Sequence, residues 1–286
     1  MTVTPPSIND LAAAYPLVPV GDLKELQLND GYHTTLGSYT GGQNDRTYSY
    51  LNFNPLSLSP SLWFKSNGTL WQDSGRTTPA TADNAPIGSW DDASGNSRHA
   101  QQATAAARPL LITSTTLNGF PIIRADGSDD FLLSTIDASA AQTIVAVARK
   151  RSAPSAGIKA CFSLGNESLI YANSSVGPGV IAYNQQGVGA FDAGGTPTNW
   201  NIIALTYSSV ASATIRINGG AGTTFNPVDN YAAYTSLWIA AYAGANVGDF
   251  DFTELFRVSS ALSLANLNAV GNYLASRYAL TWTTAT

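Results

Sequence analysis

A chain of 286 residues can bury a sizeable core, and all-β sandwiches of that length commonly form one domain. Charged residues are 12% and hydrophobic ones 44%, with 25 Gly and 14 Pro, a turn-rich profile that excludes a disordered chain. The formal charge of −5 excludes the concentrated basic face of a nucleic-acid binder, and a single cysteine excludes an intramolecular disulfide framework.

The opening M-T-V-T-P-P-S-I-N-D has no basic region followed by an apolar run, so no secretory signal is expected, and no window reaches transmembrane length. Residues 7–15 suggest one or two helical turns capped by Ser7 or Asn9 and stopped by Pro16 and Pro19. Residues 23–28 read as a short strand or helix. The segment 31–50 is polar and glycine-bearing, with Tyr32, Tyr39, Tyr48 and Tyr50. Such a segment is expected to lie along a surface, either its own domain's or a neighbouring subunit's. Residues 1–54 are therefore read as an N-terminal arm for anchoring or oligomer contact, and 55–286 as one domain.

Within that domain, 90–130 reads as turn, extended segment, turn. Asp, Asn, Ser and Gly at 91–96 and 126–130 close turns by bonding their own backbone or by accepting left-handed angles. Residues 143–148 (T-I-V-A-V-A) are apolar on both faces, as a covered central strand would be. Strands follow at 159–164, 168–171 and 180–183, with Gly165-Asn166 as a turn. Cys161, in Ala160-Cys161-Phe162, reads as a small buried apolar residue. Residues 200–207 and 213–218 form a further pair. In the second, Ala213, Ile215 and Ile217 alternate inward and Thr214, Arg216 and Asn218 outward, and Asn218-Gly219 supplies a tight hairpin turn. Residues 236–242 put Leu237, Ile239 and Ala241 on one face. After a strand over 249–258, Ser263 caps a helix whose apolar stripe is Leu264, Leu267, Val270, Leu274 and Tyr278. The basic run Arg149-Lys150-Arg151 is expected to be a solvated loop.

Three groups of residues also carry a resemblance. They are W-D-D-A-S-G-N at 90–96, continuing through A-x-Q-A-T-x-x-x-R-P to G-x-P-x-x-R-x-D-G-x-D-D-x-L; the W-x-x-x-x-x-x-Y and N-G strands at 200–219; and the closing E-L-F … L-S … V-x-x-Y-L-A-x-R-Y. Together they resemble the concanavalin A-like (laminin G-like) jelly-roll domains of bacterial and phage surface proteins over about residues 55–282. The variant with Leu70-Trp71-Gln72-Asp73 and Trp90-Asp91-Asp92 looks most like copies in phage structural proteins. The fold this implies is all-β: a two-sheet antiparallel jelly-roll sandwich with a short C-terminal helix and an extended N-terminal arm.

The candidate chemistry is sparse. Asp249-Phe250-Asp251-Phe252-Thr253-Glu254 resembles the E-x-D-x-x-E of glycanases on this fold, where two carboxylates flank a glycosidic bond. Strand alternation sets Asp249 and Asp251 on one face and Glu254 on the other unless a bulge intervenes, and the resemblance makes Glu254 a structural, half-buried carboxylate. His33, His99 and one Cys make no zinc set. Ligand-binding candidates are Trp71 and Trp90, as core residues or as platforms for sugar rings, and Asp91, Asp126, Asp129 and Asp130. These aspartates either cap turns or hold calcium, and no obligatory cofactor is expected. The resemblance thus implies a non-enzymatic virion protein (capsid decoration, fibre or tail-associated subunit) that contacts other virion proteins and sister subunits as a homo-oligomer, such as a trimer. The alternatives are a glycan-binding adhesin at a bacterial surface or secreted, and then a glycoside hydrolase.

Overall fold

The computed structural model describes residues 53–286 apart from 153–158, 165–166, 174–176, 186–188, 193–195 and 228–232, with backbone alone over 167–192. The expectations for 1–52, including the arm with its tyrosines, and for a turn at Gly165-Asn166, lie outside the described residues. Asn54–Thr286 form one compact unit.

The described strands fall in two antiparallel sheets. In chain order they are β1 (Leu62–Lys65), β2 (Leu70–Trp71), β3 (Ala85–Pro86), β4 (Ser89–Trp90), β5 (Ala100–Gln101), β6 (Leu110–Leu117), β7 (Phe120–Arg124), β8 (Leu132–Thr135) and β9 (Gln142–Lys150). Then come β10 (Ala160–Leu164), β11 (Glu167–Asn173), β12 (Gly177–Gln185), β13 (Gly189–Asp192), β14 (Asn201–Ser209), β15 (Ser212–Ile217), β16 (Thr223–Phe225), β17 (Ser236–Ile239) and β18 (Phe250–Val258). The first sheet runs β16-β15-β14-β9-β18-β7-β6-β3, with β1 also paired to β18; the second runs β13-β12-β11-β10-β17-β8-β5-β4-β2. Their inner faces share one core. Phe64, Ile123, Ile144, Ile203, Phe250, Phe252 and Leu255 come from the first sheet, and Trp90, Leu132, Phe162, Leu237 and Ile239 from the second. Cys161 lies within this core. This is the expected two-sheet jelly-roll sandwich with a short C-terminal helix.

The outer face of the first sheet has its own packing layer. Helix α1 (Leu264–Tyr278) is capped by Ser263, whose Oγ accepts from Asn266 N, and it buries Leu267, Val270, Gly271, Leu274 and Tyr278. Val145, Val147, Ile202, Phe256 and Val258 are also buried but lie outside the inter-sheet core, as alternation along β9, β14 and β18 requires. Leu264, expected in the buried stripe, is exposed together with Ala265 and Asn266, and the buried face of the helix begins only at Leu267. The hairpin from β15 to β16 also departs from expectation. Asn218, Gly219 and Gly220 all take positive φ in a loop longer than two residues, and Gly219 abuts Thr283, so the chain end docks there.

Strand β18 carries a bulge. Its partners on β9 run Phe252 to Ala148 and then Glu254 to Val147, which leaves Thr253 as the extra residue. The shift changes which side chains share a face. Asp251 and Glu254 point outward, while Phe250, Phe252 and Leu255 point inward; Asp249 precedes the strand and pairs with Lys150, the residue opposite Phe250. No helix among the described residues is long and apolar enough to cross a membrane.

Candidate functional site

The bulge puts the Asp251 and Glu254 carboxylates on one face of β18, with Asp249 just before the strand, and every oxygen of the three is engaged. Asp249 Oδ1 accepts from Lys150 Nζ and Oδ2 from Ser152 N at 3.0 Å. Asp251 Oδ1 accepts from Arg124 Nε at 2.8 Å, and Oδ2 accepts from Arg124 Nη2 at 3.1 Å and Arg149 Nη2 at 2.9 Å. Glu254 Oε1 accepts from Trp63 Nε1 at 2.5 Å and Oε2 from Tyr278 OH at 2.7 Å, with Arg277 Nε at 3.3 Å from Oε2. Glu254 is fully buried rather than half-buried, and its partners are side chains, not backbone. Alternation is expected to separate these acids unless a bulge intervenes, and the bulge at Thr253 is that exception, bringing Asp251 and Glu254 to one face with each oxygen already hydrogen-bonded. The run 149–151 is likewise no solvated loop. Arg149 and Lys150 end β9, and Lys150 is buried against Asp249.

The opposite face offers a different surface. Register across the second sheet places Trp71 opposite Ser89, Ser89 opposite Gln101, Gln101 opposite Leu133, Leu133 opposite Trp238, and Trp238 opposite Ser163. All six point away from the core. Around Leu133 and Trp238 lies an open hollow of ≈ 600 Å³ lined also by Phe131, Thr135, Arg98, His99 and Gln101. Trp238 is half-buried, with the Phe131 ring centroid 5.3 Å away and tilted by 51°. On another side the loop 240–248 closes against it. Ala240, Ala243, Gly244 and Asn246 there have positive φ, and a Cβ on Gly244 would stand 3.2 Å from the indole. Ser163 Oγ ties the same loop down, donating to Ala241 O at 3.0 Å and accepting from Ala243 N at 3.3 Å. The indole is thus fixed in place beside polar groups.

Those polar groups are themselves positioned. Arg98 makes a two-pronged ion pair with Asp137, which holds the Asp137 carboxyl below the usual range. His99 Nδ1 lies 3.2 Å from both Asp92 N and Asp91 Oδ1. Gln101 Nε2 donates to Ser74 O at 2.9 Å. Asp91 Oδ2 in turn accepts from Trp71 Nε1 at 3.0 Å and Arg76 Nη2 at 2.7 Å.

Of the candidates read from sequence, Trp71 and Asp91 are brought together near one end of this surface. Trp90 is corrected. It is fully buried, its ring packs 5.4 Å from Phe64, and its Nε1 donates to Lys65 O, so it has no face for a sugar. Asp126, Asp129 and Asp130 do converge, with ligand oxygens within 4.8 Å of one another. Asp126 Oδ1 accepts from Ser128 N at 2.7 Å and Asp130 Oδ2 from Asp126 N at 2.9 Å, which is turn capping. Asp130 is buried, and burial, with Asp126 beside it, pushes its carboxyl up to about 7. The sequence reading missed Trp238 and Phe131. The signal was present: with Leu237 and Ile239 facing in, alternation leaves a large indole facing out.

No family model matches the sequence, and no curated protein matches it. Among solved structures, an arabinofuranosidase complexed with arabinofuranosyl-α-1,2-xylobiose superposes with a TM-score of 0.58 at 16% identity, over 82% of this chain and 67% of that one. A GH54 α-L-arabinofuranosidase gives 0.55 at 16% identity, over 79% and 66%. A Trypanosoma rangeli sialidase gives 0.48 at 10% identity, and this chain spans about a third of its length, 32%. The similarity is one of fold. This is a β-sandwich of the kind that arabinofuranosidases also carry. The expectation of a non-enzymatic protein is therefore withdrawn: the solved structures of similar fold include glycoside hydrolases. None of these comparisons bears on a virion.

Proposed function

We propose that this chain binds a glycan in the hollow on the outer face of the second sheet, with Trp238 as the ring-stacking platform. The observation that carries the reading is the indole itself, half-exposed on a sheet face and braced by Phe131 and Gly244, with Gln101, Thr135, His99 and Arg98 around it. A sugar presents apolar C–H groups on one ring face and hydroxyls around its rim. An aromatic plate bordered by amide, hydroxyl and guanidinium groups suits both. The arabinofuranosidase of similar fold was solved with arabinofuranosyl-α-1,2-xylobiose, so pentose oligosaccharides are the first ligands to try.

The test is a glycan array followed by titration calorimetry, with product analysis of the same mixtures. At least one neutral oligosaccharide should bind the wild type, and Trp238→Ala should weaken it tenfold or more without lowering Tm by more than a few degrees. Binding that survives Trp238→Ala would place the ligand elsewhere.

Display on a phage particle beside sister subunits is proposed from the sequence resemblance alone. Deleting residues 1–54 tests it, since the truncated protein should then fail to join the particle.

A further inference from the structure

We infer that the outer face of the first sheet carries a second site, for the carboxylate of an acidic sugar. This goes beyond the neutral-glycan reading at Trp238 and stands on separate residues. Register places Arg124 on β7 opposite Asp251 on β18, and Asp251 opposite Arg149 on β9. The Arg149 guanidinium then lies 5.0 Å from the centroid of the half-buried Trp200 ring. A single, fully buried carboxylate is therefore flanked on both sides by arginines of neighbouring strands, and Arg151 Nε approaches it at 3.9 Å.

The use of donors decides what is left over. Arg124 and Arg149 each turn their Nε–Nη2 edge to Asp251. A guanidinium has five N–H donors in a rigid fork, so each keeps its Nη1 edge clear of that carboxylate. Their side chains are 27% and 28% exposed. Charge does not cancel locally. Lys150 is matched by Asp249, and Arg151 also donates to the carbonyls of Ala125 and Asp126 beside the acidic turn. Asp83, whose field reaches Arg124, is held by the N–H groups of Thr113 and Ser114. Two guanidiniums thus share one negative charge, fixed by a buried anchor next to an indole. That pairing fits an oxyanion borne on a ring: guanidinium N–H for the carboxylate, and the exposed part of the half-buried indole, one face of which Arg149 already covers, for the sugar.

Titration of the full chain with oligogalacturonate, a neutral oligosaccharide of equal length and sodium sulfate tests this. Oligogalacturonate should bind, with affinity falling as sodium chloride rises. Trp200→Ala should weaken it at least fivefold while leaving neutral-glycan binding at Trp238 unchanged. Arg149→Gln should weaken it at least tenfold. Because that change strips a partner from a buried acid and destabilises the fold, Asp251→Asn serves as the second variant. It releases donors and should tighten oligogalacturonate binding even as it lowers Tm. Equal affinity for neutral and acidic chains, indifference to Trp200→Ala, weaker binding in Asp251→Asn, or binding of sulfate alone would each overturn the assignment.

Discussion

Trp63 and Glu254 meet through a 2.5 Å hydrogen bond from the indole Nε1 to Oε1, joining β1 to β18 beneath the C-terminal end of α1. Tyr278, the last residue of that helix, donates to the other oxygen at 2.7 Å. One buried carboxylate therefore ties the consecutive elements β18 and α1 to β1, whose Trp63 lies 191 residues before Glu254. Burial pushes this carboxyl up, against the pull of the Arg277 guanidinium. Glu254→Ala strands three donors in a dry site and should cost about 3–5 kcal/mol. Glu254→Gln keeps an acceptor for Trp63 and should cost about 1–3 kcal/mol. Urea denaturation of both variants checks the order.

Asp130 makes stability depend on pH. Its folded-state value of about 7 lies above that of an unfolded aspartate, ~3.9. The native chain therefore holds a proton that the unfolded chain releases, and this contribution is complete below about pH 4 and lost as pH rises through 7. Asp137, held low by Arg98, has the opposite sign, but its effect falls below about pH 4. Asp130→Asn should leave Tm almost unchanged at about pH 3.5, raise it slightly at pH 5 and raise it most at pH 8; a variant equally shifted at all three pH values would disprove the titration.

The acidic turn is expected to be self-sufficient. Asp126 and Asp130 already accept N–H groups of their own loop, so EDTA and millimolar calcium should both leave Tm in place. A calcium-dependent rise in Tm that Asp129→Ala abolishes would instead show a metal site.

Gly271 is needed for a different reason from the turn glycines. A Cβ there would stand 2.1 Å from the Trp282 ring, which the chain end folds back against α1, with its Nε1 bonded to Asn268 Oδ1 at 2.9 Å. Gly271→Ala should cost about 1–3 kcal/mol through overpacking. In a Trp282→Ala background the same substitution should cost little, and thermal melts of the four chains close the cycle.

Some of this was written locally. Ser263 followed by apolar residues at helical spacing specified α1, and the alternation of Ala213 and Ile215 with Thr214 and Arg216 specified the inner face of β15. The two-faced apolar run at 143–148 specified a covered central strand. Local pattern could not say that Leu264 would be left exposed, nor that Trp90 and Trp71, equally indolic in sequence, would lie one in the core and one at the surface. By itself, then, the sequence determined the sandwich and its closing helix, because side-chain period is a property of each segment alone. Only the tertiary structure decided which residues the candidate sites bring together. The bulge at Thr253 sets which acids share a face, and cross-strand register brings Trp238 to Gln101 and Asp251 between two arginines, since both depend on neighbours that no local window contains.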